Sequence, residues 1–236
     1  MERRLTKLLV ANRGEIALRI IRSARLFGLK TVAVYSAADA KSAHVGAADE
    51  AILIGPAEAA KSYLDIAAII AAAKHSGADA IHPGYGFLSE RPEFAQAAAD
   101  AQIVFVGPRP EVMAALGDKV AARRIAVAAG VPVVPGIEAA EISATREYAA
   151  LVGYPLVIKA AAGGGGRGMR VVAEAAQLES ALGAAAREAA AAFGDGRIFV
   201  EKYLAHPRHI EIQFLGDNHG AVVALGERDC SIQRRH

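Results

Sequence analysis

At 236 residues, and with roughly 150 residues to a domain, the chain has room for one large domain or two small ones, which leaves little space for a complete multidomain enzyme. Its 27 Lys and Arg stand against 25 Asp and Glu, both signs spread along the chain, so no basic stripe recommends nucleic acid as a partner; the alanine-rich run over residues 66–73 falls far short of the ~20 apolar residues that cross a bilayer. The single cysteine, Cys230, cannot staple the fold, and with no secretory pattern in residues 1–7 the cytoplasm is the expected compartment.

Short β-branched runs predict strands over residues 7–11, 31–35, 51–54, 80–82 and 103–106, and helical periodicity predicts helices over 15–27, 66–75 and 92–101. Strand and helix in alternation predict a doubly wound parallel sheet. The first helix carries Ile16, Leu18, Ile20, Ile21 and Leu26 among arginines and stops at Gly28, a suitable C-cap. Ligands of such sheets gather beyond the carboxyl ends of the strands. That rule singles out Asn12-Arg13-Gly14-Glu15 and Pro83-Gly84-Tyr85-Gly86-Phe87. Neither is a dinucleotide fingerprint, and each reads equally well as a tight turn feeding a helix.

From Asp118 the character changes. A helix over 119–129 ends at Gly130, and Val131-Pro132-Val133-Val134-Pro135-Gly136 reads as a hinge. Residues 137–203 follow the order helix, strand, glycine loop, strand, helix, strand, a small second domain. Strict alternation over His209-Ile210-Glu211-Ile212-Gln213-Phe214, a turn at Gly216-Asp217-Asn218-His219-Gly220 and a strand from Ala221 predict an antiparallel hairpin. His209, Glu211 and Gln213 share one face, Ile210, Ile212 and Phe214 the other; one face should pack while the other meets a ligand or water. The chain stops at Gln233-Arg234-Arg235-His236 with neither turn nor cap, as if cut short.

The glycine loop is the most informative segment. Gly163, Gly165 and Gly168 match G-x-G-x-x-G literally, but the loop leads into a strand instead of a helix, and no Lys-Ser or Lys-Thr follows as a Walker loop requires. What remains is a hairpin loop whose unhindered N–H groups can wrap a polyphosphate, with Lys159 and Arg167 supplying charge. Five glycines over residues 163–168 cost ~0.5–1 kcal/mol each on ordering relative to alanine. One Lys–phosphate contact near 4 Å is worth ~4 kcal/mol at an effective dielectric of about 20, before desolvation. A bound nucleotide phosphate is thus favoured over a merely mobile loop.

Ile198-Phe199-Val200-Glu201-Lys202-Tyr203-Leu204 is a strand ending in charge. Its backbone can meet a purine edge, with Glu201 accepting from an exocyclic amine; a solvated strand end is the competing reading. His206 and His209 lie three apart without a completing Cys or His pair, which argues against a metal. Near Gln233 and His236, the carboxylate of Glu227 or Asp229 could help neutralise a phosphate-bound magnesium ion. Cys230 reads as a packed residue in preference to a nucleophile.

With these residues assembled, the sequence resembles the biotin carboxylase component of the biotin-dependent acyl-CoA and pyruvate carboxylases, in the ATP-grasp superfamily. The resemblance runs through Val10-Ala11-Asn12-Arg13-Gly14-Glu15-Ile16-Ala17, Ser62-Tyr63-Leu64, His82-Pro83-Gly84-Tyr85-Gly86-Phe87-Leu88-Ser89-Glu90, Gly117-Asp118-Lys119, the glycine loop, Glu201-Lys202-Tyr203-Leu204, Pro207-Arg208-His209-Ile210-Glu211 and residues 227–236. It implies an α/β chain: a Rossmann-like, doubly wound pre-ATP-grasp domain over 1–117, a helical linker and hinge over 118–136, an α+β ATP-grasp lid over 137–203, and the truncated start of a C-terminal ATP-grasp domain over 204–236.

The implied reaction phosphorylates bicarbonate with ATP and Mg2+ to carboxyphosphate, then carboxylates biotin on a carrier domain. A carboxyltransferase component consumes the product, and a homodimer is possible. Lys119 and Lys159 match nucleotide-contacting lysines, and Gly165 and Gly166 fall in the lid loop over the phosphates. Glu201, Lys202, Tyr203 and Leu204 match the adenine segment, while His209, Gln233 and His236 match the lining of the ribose and phosphate part of the pocket. The family's catalytic residues and main magnesium ligands belong beyond the position of His236, so the expectation is an N-terminal fragment inactive alone. Another ATP-grasp carboxylate–amine ligase, or a nucleotide-binding fragment without turnover, are the alternatives.

Overall fold

The computed structural model describes residues 4–161, 169–217 and 219–232. The chain divides at residue 117 into two units, Met1–Gly117 and Asp118–His236, each with its own core. The expected segments at Gly165, Gly166, Gln233 and His236 lie outside the described residues.

The first unit is a parallel sheet in the order β3-β2-β1-β4-β5, built from β1 (Lys7–Val10), β2 (Lys30–Ser36), β3 (Glu50–Gly55), β4 (Ala80–His82) and β5 (Val104–Phe105). Around it stand α1 (Gly14–Leu26), α2 (Ala43–Ala47), α3 (Ile66–Ser76), α4 (Pro92–Asp100) and α5 (Pro110–Gly117). A parallel sheet is covered on both faces, so its central strands read as continuous apolar runs. Alternate residues then divide between two cores: Leu9, Val32, Val34 and Ile81 pack with Ile69 of α3 and Phe94 of α4, whereas Leu8, Val10, Ala33 and Ala80 pack with Ala17, Ile21 and Ala24 of α1. Fully burying a side chain such as Phe94 or Ile21 contributes ~1.5–3 kcal/mol. Asp65 caps α3 by accepting from the Ala68 N–H, and Gly77 ends it in the left-handed region. The expected elements appear with ends shifted by a residue or two. The short helices α2 and α5 carry too little periodicity to be read in advance.

In the second unit, β6 (Gly136–Glu138), β7 (Leu156–Ala160), β8 (Arg170–Val172) and β9 (Ile198–Lys202) form an antiparallel sheet in the order β6-β9-β7-β8, accompanied by α6 (Lys119–Ala128), α7 (Ile142–Val152) and α8 (Leu178–Phe193). Leu156, Ile158, Ala160, Ile198 and Val200 bury one sheet face against Leu182, Ala185 and Ala189 of α8 and Ala149 of α7. The opposite face is where α6 docks: its Val120 packs with Ala161 and Phe199.

The predicted hairpin is present as β10 (Ile210–Gly216) and β11 (Val222–Asp229), with a register shift between Ile212 and Phe214. The expectation that one of its faces packs is not met. Ile210, Ile212 and Phe214 are 44%, 45% and 59% exposed. The reason is topological: among the described residues these strands pair only with each other and form a two-stranded sheet. No helix among the described residues is long and apolar enough to cross a membrane.

Candidate functional site

Strand alternation decides which side chains meet. In the β7–β9 register Lys159 faces Phe199 and Val157 faces Glu201, so Lys159 and Glu201 are diagonal neighbours on the face opposite the helical core. The Lys159 ammonium donates to Glu201 Oε2. Lys119, first residue of α6, reaches the same end of β7, where its Nζ donates to the Ala160 carbonyl at 3.2 Å. Burial first, and then the charge of Lys159, push the Lys119 pKa below that of an ordinary lysine, while Asp118 and Glu201 oppose the shift. Two ammonium groups therefore stand at the end of β7, and the one carboxylate beside them is gripped by Lys159. Crowded cations in a partly desolvated place are relieved by an incoming anion.

Gly136 gives this face its shape. A Cβ there would stand 2.6 Å from the Phe199 ring and 2.8 Å from Glu201 Cγ. The Arg123 guanidinium covers the Phe199 ring at 5.6 Å. Sequence reasoning missed both Gly136 and Phe199, because their importance depends on the β6–β9 register, in which Gly136 faces Glu201 and Glu138 faces Phe199. Asp118 caps α6: its Oδ1 accepts from the Val120 and Ala121 N–H groups at 2.9 Å each, a role for which an acidic residue directly before a helix is the available signal.

Other expected residues are placed differently. The Lys202 side chain turns to the opposite sheet face, where Nζ donates to the Gly153 and Tyr154 carbonyls at 3.1 and 3.0 Å, a cation at the C-terminal end of α7. Only its backbone lies along the segment that continues through Tyr203, whose N–H donates to Pro155 O at 3.1 Å, to the half-exposed Leu204. His209 stands at the foot of the hairpin, its N–H donating to Ser231 Oγ at 2.9 Å and its carbonyl accepting from the Cys230 N–H at 2.7 Å. Lys119, Lys159 and Glu201 are thus brought together. The side chain of Lys202 is not.

The described carboxylates do not assemble a metal centre. Asp229, considered for magnesium, is engaged by Ser231 and by Arg208 at 2.8 Å, which pull its pKa down to about 2. No group of three or more His, Cys, Asp or Glu side chains suited to a metal occurs among the described residues. Among the described residues magnesium therefore has no fitting donor set. The Cys230 thiol contacts Glu211, which with burial pushes its pKa up, against a thiolate nucleophile.

At the switch point of the first unit, protein groups fasten the two singled-out loops together. Asn12 Nδ2 donates to the Pro83 and Tyr85 carbonyls at 2.7 and 2.8 Å, and its Oδ1 accepts from the Arg13 N–H at 2.9 Å. Gly84 sits at φ +67°, where a Cβ would lie 2.7 Å from Asn12 Nδ2. Arg13 in turn binds buried Asp39, which also accepts from the Tyr63 hydroxyl at 2.7 Å. These contacts favour the turn reading of both loops.

Residues 4–113 match the family model for the biotin carboxylase N-terminal domain, and residues 118–236 match that for the carbamoyl-phosphate synthase L chain ATP binding domain. The biotin carboxylase of Haemophilus influenzae is 54% identical over 235 residues, 98% of this chain and 52% of that protein. Among solved structures, a biotin carboxylase–βγ-ATP complex from Campylobacter jejuni superposes with a TM-score of 0.93 at 50% identity, over 99% of this chain and 53% of that one. The biotin carboxylase domain dimer of Hydrogenobacter thermophilus 2-oxoglutarate carboxylase, in complex with MgADP, ADP and bicarbonate, gives 0.91 at 44% identity, over 99% and 52%. The chain spans about half the length of each.

Proposed function

Since the chain belongs to the biotin carboxylase family, we propose that it carries the nucleotide-binding part of an enzyme that uses ATP and bicarbonate to carboxylate biotin through carboxyphosphate. ATP supplies the phosphoryl group that activates bicarbonate; the whole protein would then serve a biotin carboxyl carrier domain and a carboxyltransferase component, as a homodimer in the cytoplasm. The observation that carries this reading is the pair of part-buried ammonium groups at the end of β7, Lys119 resting on the Ala160 carbonyl and Lys159 on Glu201.

The roles of individual residues follow from their chemistry. Lys119 and Lys159 bind and orient the phosphates, and Glu201 releases Lys159 toward the anion when it arrives. Gly165 and Gly166, outside the described residues, are assigned to the phosphate-covering loop by resemblance to the family. The backbone of Glu201, Lys202, Tyr203 and Leu204 is assigned the purine edge and His209 the ribose side, with Gln233 and His236, outside the described residues, assigned there by resemblance to the family. Magnesium draws no ligand set from the described residues.

The test is a calorimetric titration of the chain with ATP. Lys119→Gln and Lys159→Gln should each weaken binding by roughly ten- to hundredfold, the value of a charge-assisted hydrogen bond. Bicarbonate-dependent ADP release is then assayed on the whole protein. Affinity untouched by both substitutions would remove the basis of the reading.

A further inference from the structure

Three features converge on Arg197, at the entrance of β9. Its Nη2 donates to Asp118 Oδ2 at 3.1 Å, the oxygen left over when Oδ1 caps α6. Its carbonyl accepts from the Ala161 N–H at 2.9 Å, the residue at which β7 leaves the sheet for the glycine loop. Its own guanidinium is held by Asp195, through Nε at 3.0 Å and Nη2 at 2.7 Å, and its N–H donates to the same carboxylate at 2.9 Å. One residue thus ties the start of the helix that carries Lys119 to the end of the strand that carries Lys159. The carbonyl on which the Lys119 ammonium rests belongs to Ala160, the register partner of Ile198, directly after Arg197.

We infer that Arg197 is a positioning residue for Lys119: through Asp118 it fixes where the first turn of α6 stands against the end of β7, and so where the Lys119 ammonium meets a nucleotide phosphate. The inference rests on the reading of Lys119 as a phosphate-binding lysine. Asp118 is the transmitting group because its two oxygens divide the work, one capping the helix and one gripping Arg197. A charge at a helix N-terminus and an exposed ion pair each contribute modestly. The effect is therefore one of aim on a group whose contact with phosphate is worth more than the tie itself. Arg197 touches no phosphate in this scheme.

The experiment measures dissociation constants of the full chain for ATP, ADP and adenosine, the last by competition. Arg197→Gln should weaken ATP and ADP by roughly three- to fivefold, the size of one exposed charged tie, and leave adenosine unchanged. Asp118→Asn preserves the helix cap, since Asn caps as well as Asp, but removes the charged partner. It should reproduce the loss and add nothing to it in the double variant. In a Lys119→Gln background, Arg197→Gln should have no further effect. Equal weakening of adenosine, or losses that add in the Lys119→Gln background, would show that Arg197 only supports the unit and would overturn the inference. If Lys119→Gln alone leaves ATP affinity intact, the nucleotide reading falls first and the inference with it. If it weakens ATP while both Arg197→Gln and Asp118→Asn do not, only the inference falls.

Discussion

Asp39 is the residue on which the first unit's electrostatics turn. The Arg13 guanidinium hydrogen-bonds its carboxylate through Nε at 2.6 Å and through a terminal nitrogen, and holds its pKa well below the usual carboxylate range; burial opposes this, and the Tyr63 hydroxyl reinforces it. Ser42 and Ser36 complete the shell at 3.2 and 3.3 Å. A folded-state pKa below the unfolded one means that the native state binds fewer protons. The stabilisation is therefore fully present above the ordinary carboxylate value of about 3.9 and is lost as pH falls toward the folded value. Asp39→Asn keeps the shape but leaves Arg13 without its counter-charge. Because Arg13 is half exposed, water takes over part of that solvation, and the cost at pH 7 should be about 2 kcal/mol, below the usual figure for breaking a fully buried pair. Urea unfolding at pH 7 and at pH 3 measures it. The gap between wild type and variant should narrow at the lower pH, and a gap of constant size would mean that Asp39 acts by packing alone.

Elements differ in how far they could be read from sequence, and β6 shows why. The longer strands and helices announced themselves, because β1 and β2 carry apolar runs, over residues 8–10 and 32–34, and the periodic α1 stops before Gly28. At three residues, β6 has no periodicity to detect, and in sequence its first residue, Gly136, closes the proline-punctuated hinge. The pairing of Lys159 with Glu201 was hidden for a related reason: both residues were singled out, but their meeting depends on an antiparallel register that no local pattern encodes. Gly136→Ala tests the element directly. Its Cβ would lie 2.6 Å from Phe199 and 2.8 Å from Glu201, and Phe199 cannot retreat cheaply because Val120 and Ala161 pack it and Arg123 covers it. Overpacking of this kind costs about 1–3 kcal/mol, and the displaced Glu201 should also lower ATP affinity. Gly183→Ala, inside α8 with only the flexible Arg187 side chain nearby at 3.4 Å, should instead stabilise by about 0.4–1 kcal/mol and leave ATP affinity alone. Thermal melts and ATP titrations of the two variants decide this. A Gly136→Ala protein as stable and as tight-binding as wild type would show that β6 has slack.

Across the whole molecule, burial is uneven. The first unit closes its sheet from both faces and the second closes one face on α7 and α8, whereas the hairpin turns Phe214, Leu215, Val222, Val223 and Leu225 outward, each at least half exposed. Its alternation was legible in the sequence, but alternation says only that the two faces differ, and the packing layer that would decide between them is not part of the pattern. An isolated two-stranded hairpin is marginal in water, since its hydrogen bonds are open to solvent, and among the described residues no second layer offsets the entropy of ordering it. The internal bond from Asp217, which accepts from the His219 and Ala221 N–H groups at 2.8 and 2.9 Å, pins the turn without protecting the strands. Amide hydrogen exchange should therefore show β10 and β11 exchanging about a thousandfold or more faster than β1, β2 and β4, as local opening does where few apolar contacts must break. The exposed apolar strands also favour pairing with another copy, so hairpin protection should rise with protein concentration while that of the first unit stays constant. Slow exchange in the hairpin at micromolar concentration, independent of dilution, would mean that it is covered within the monomer and would sink the prediction.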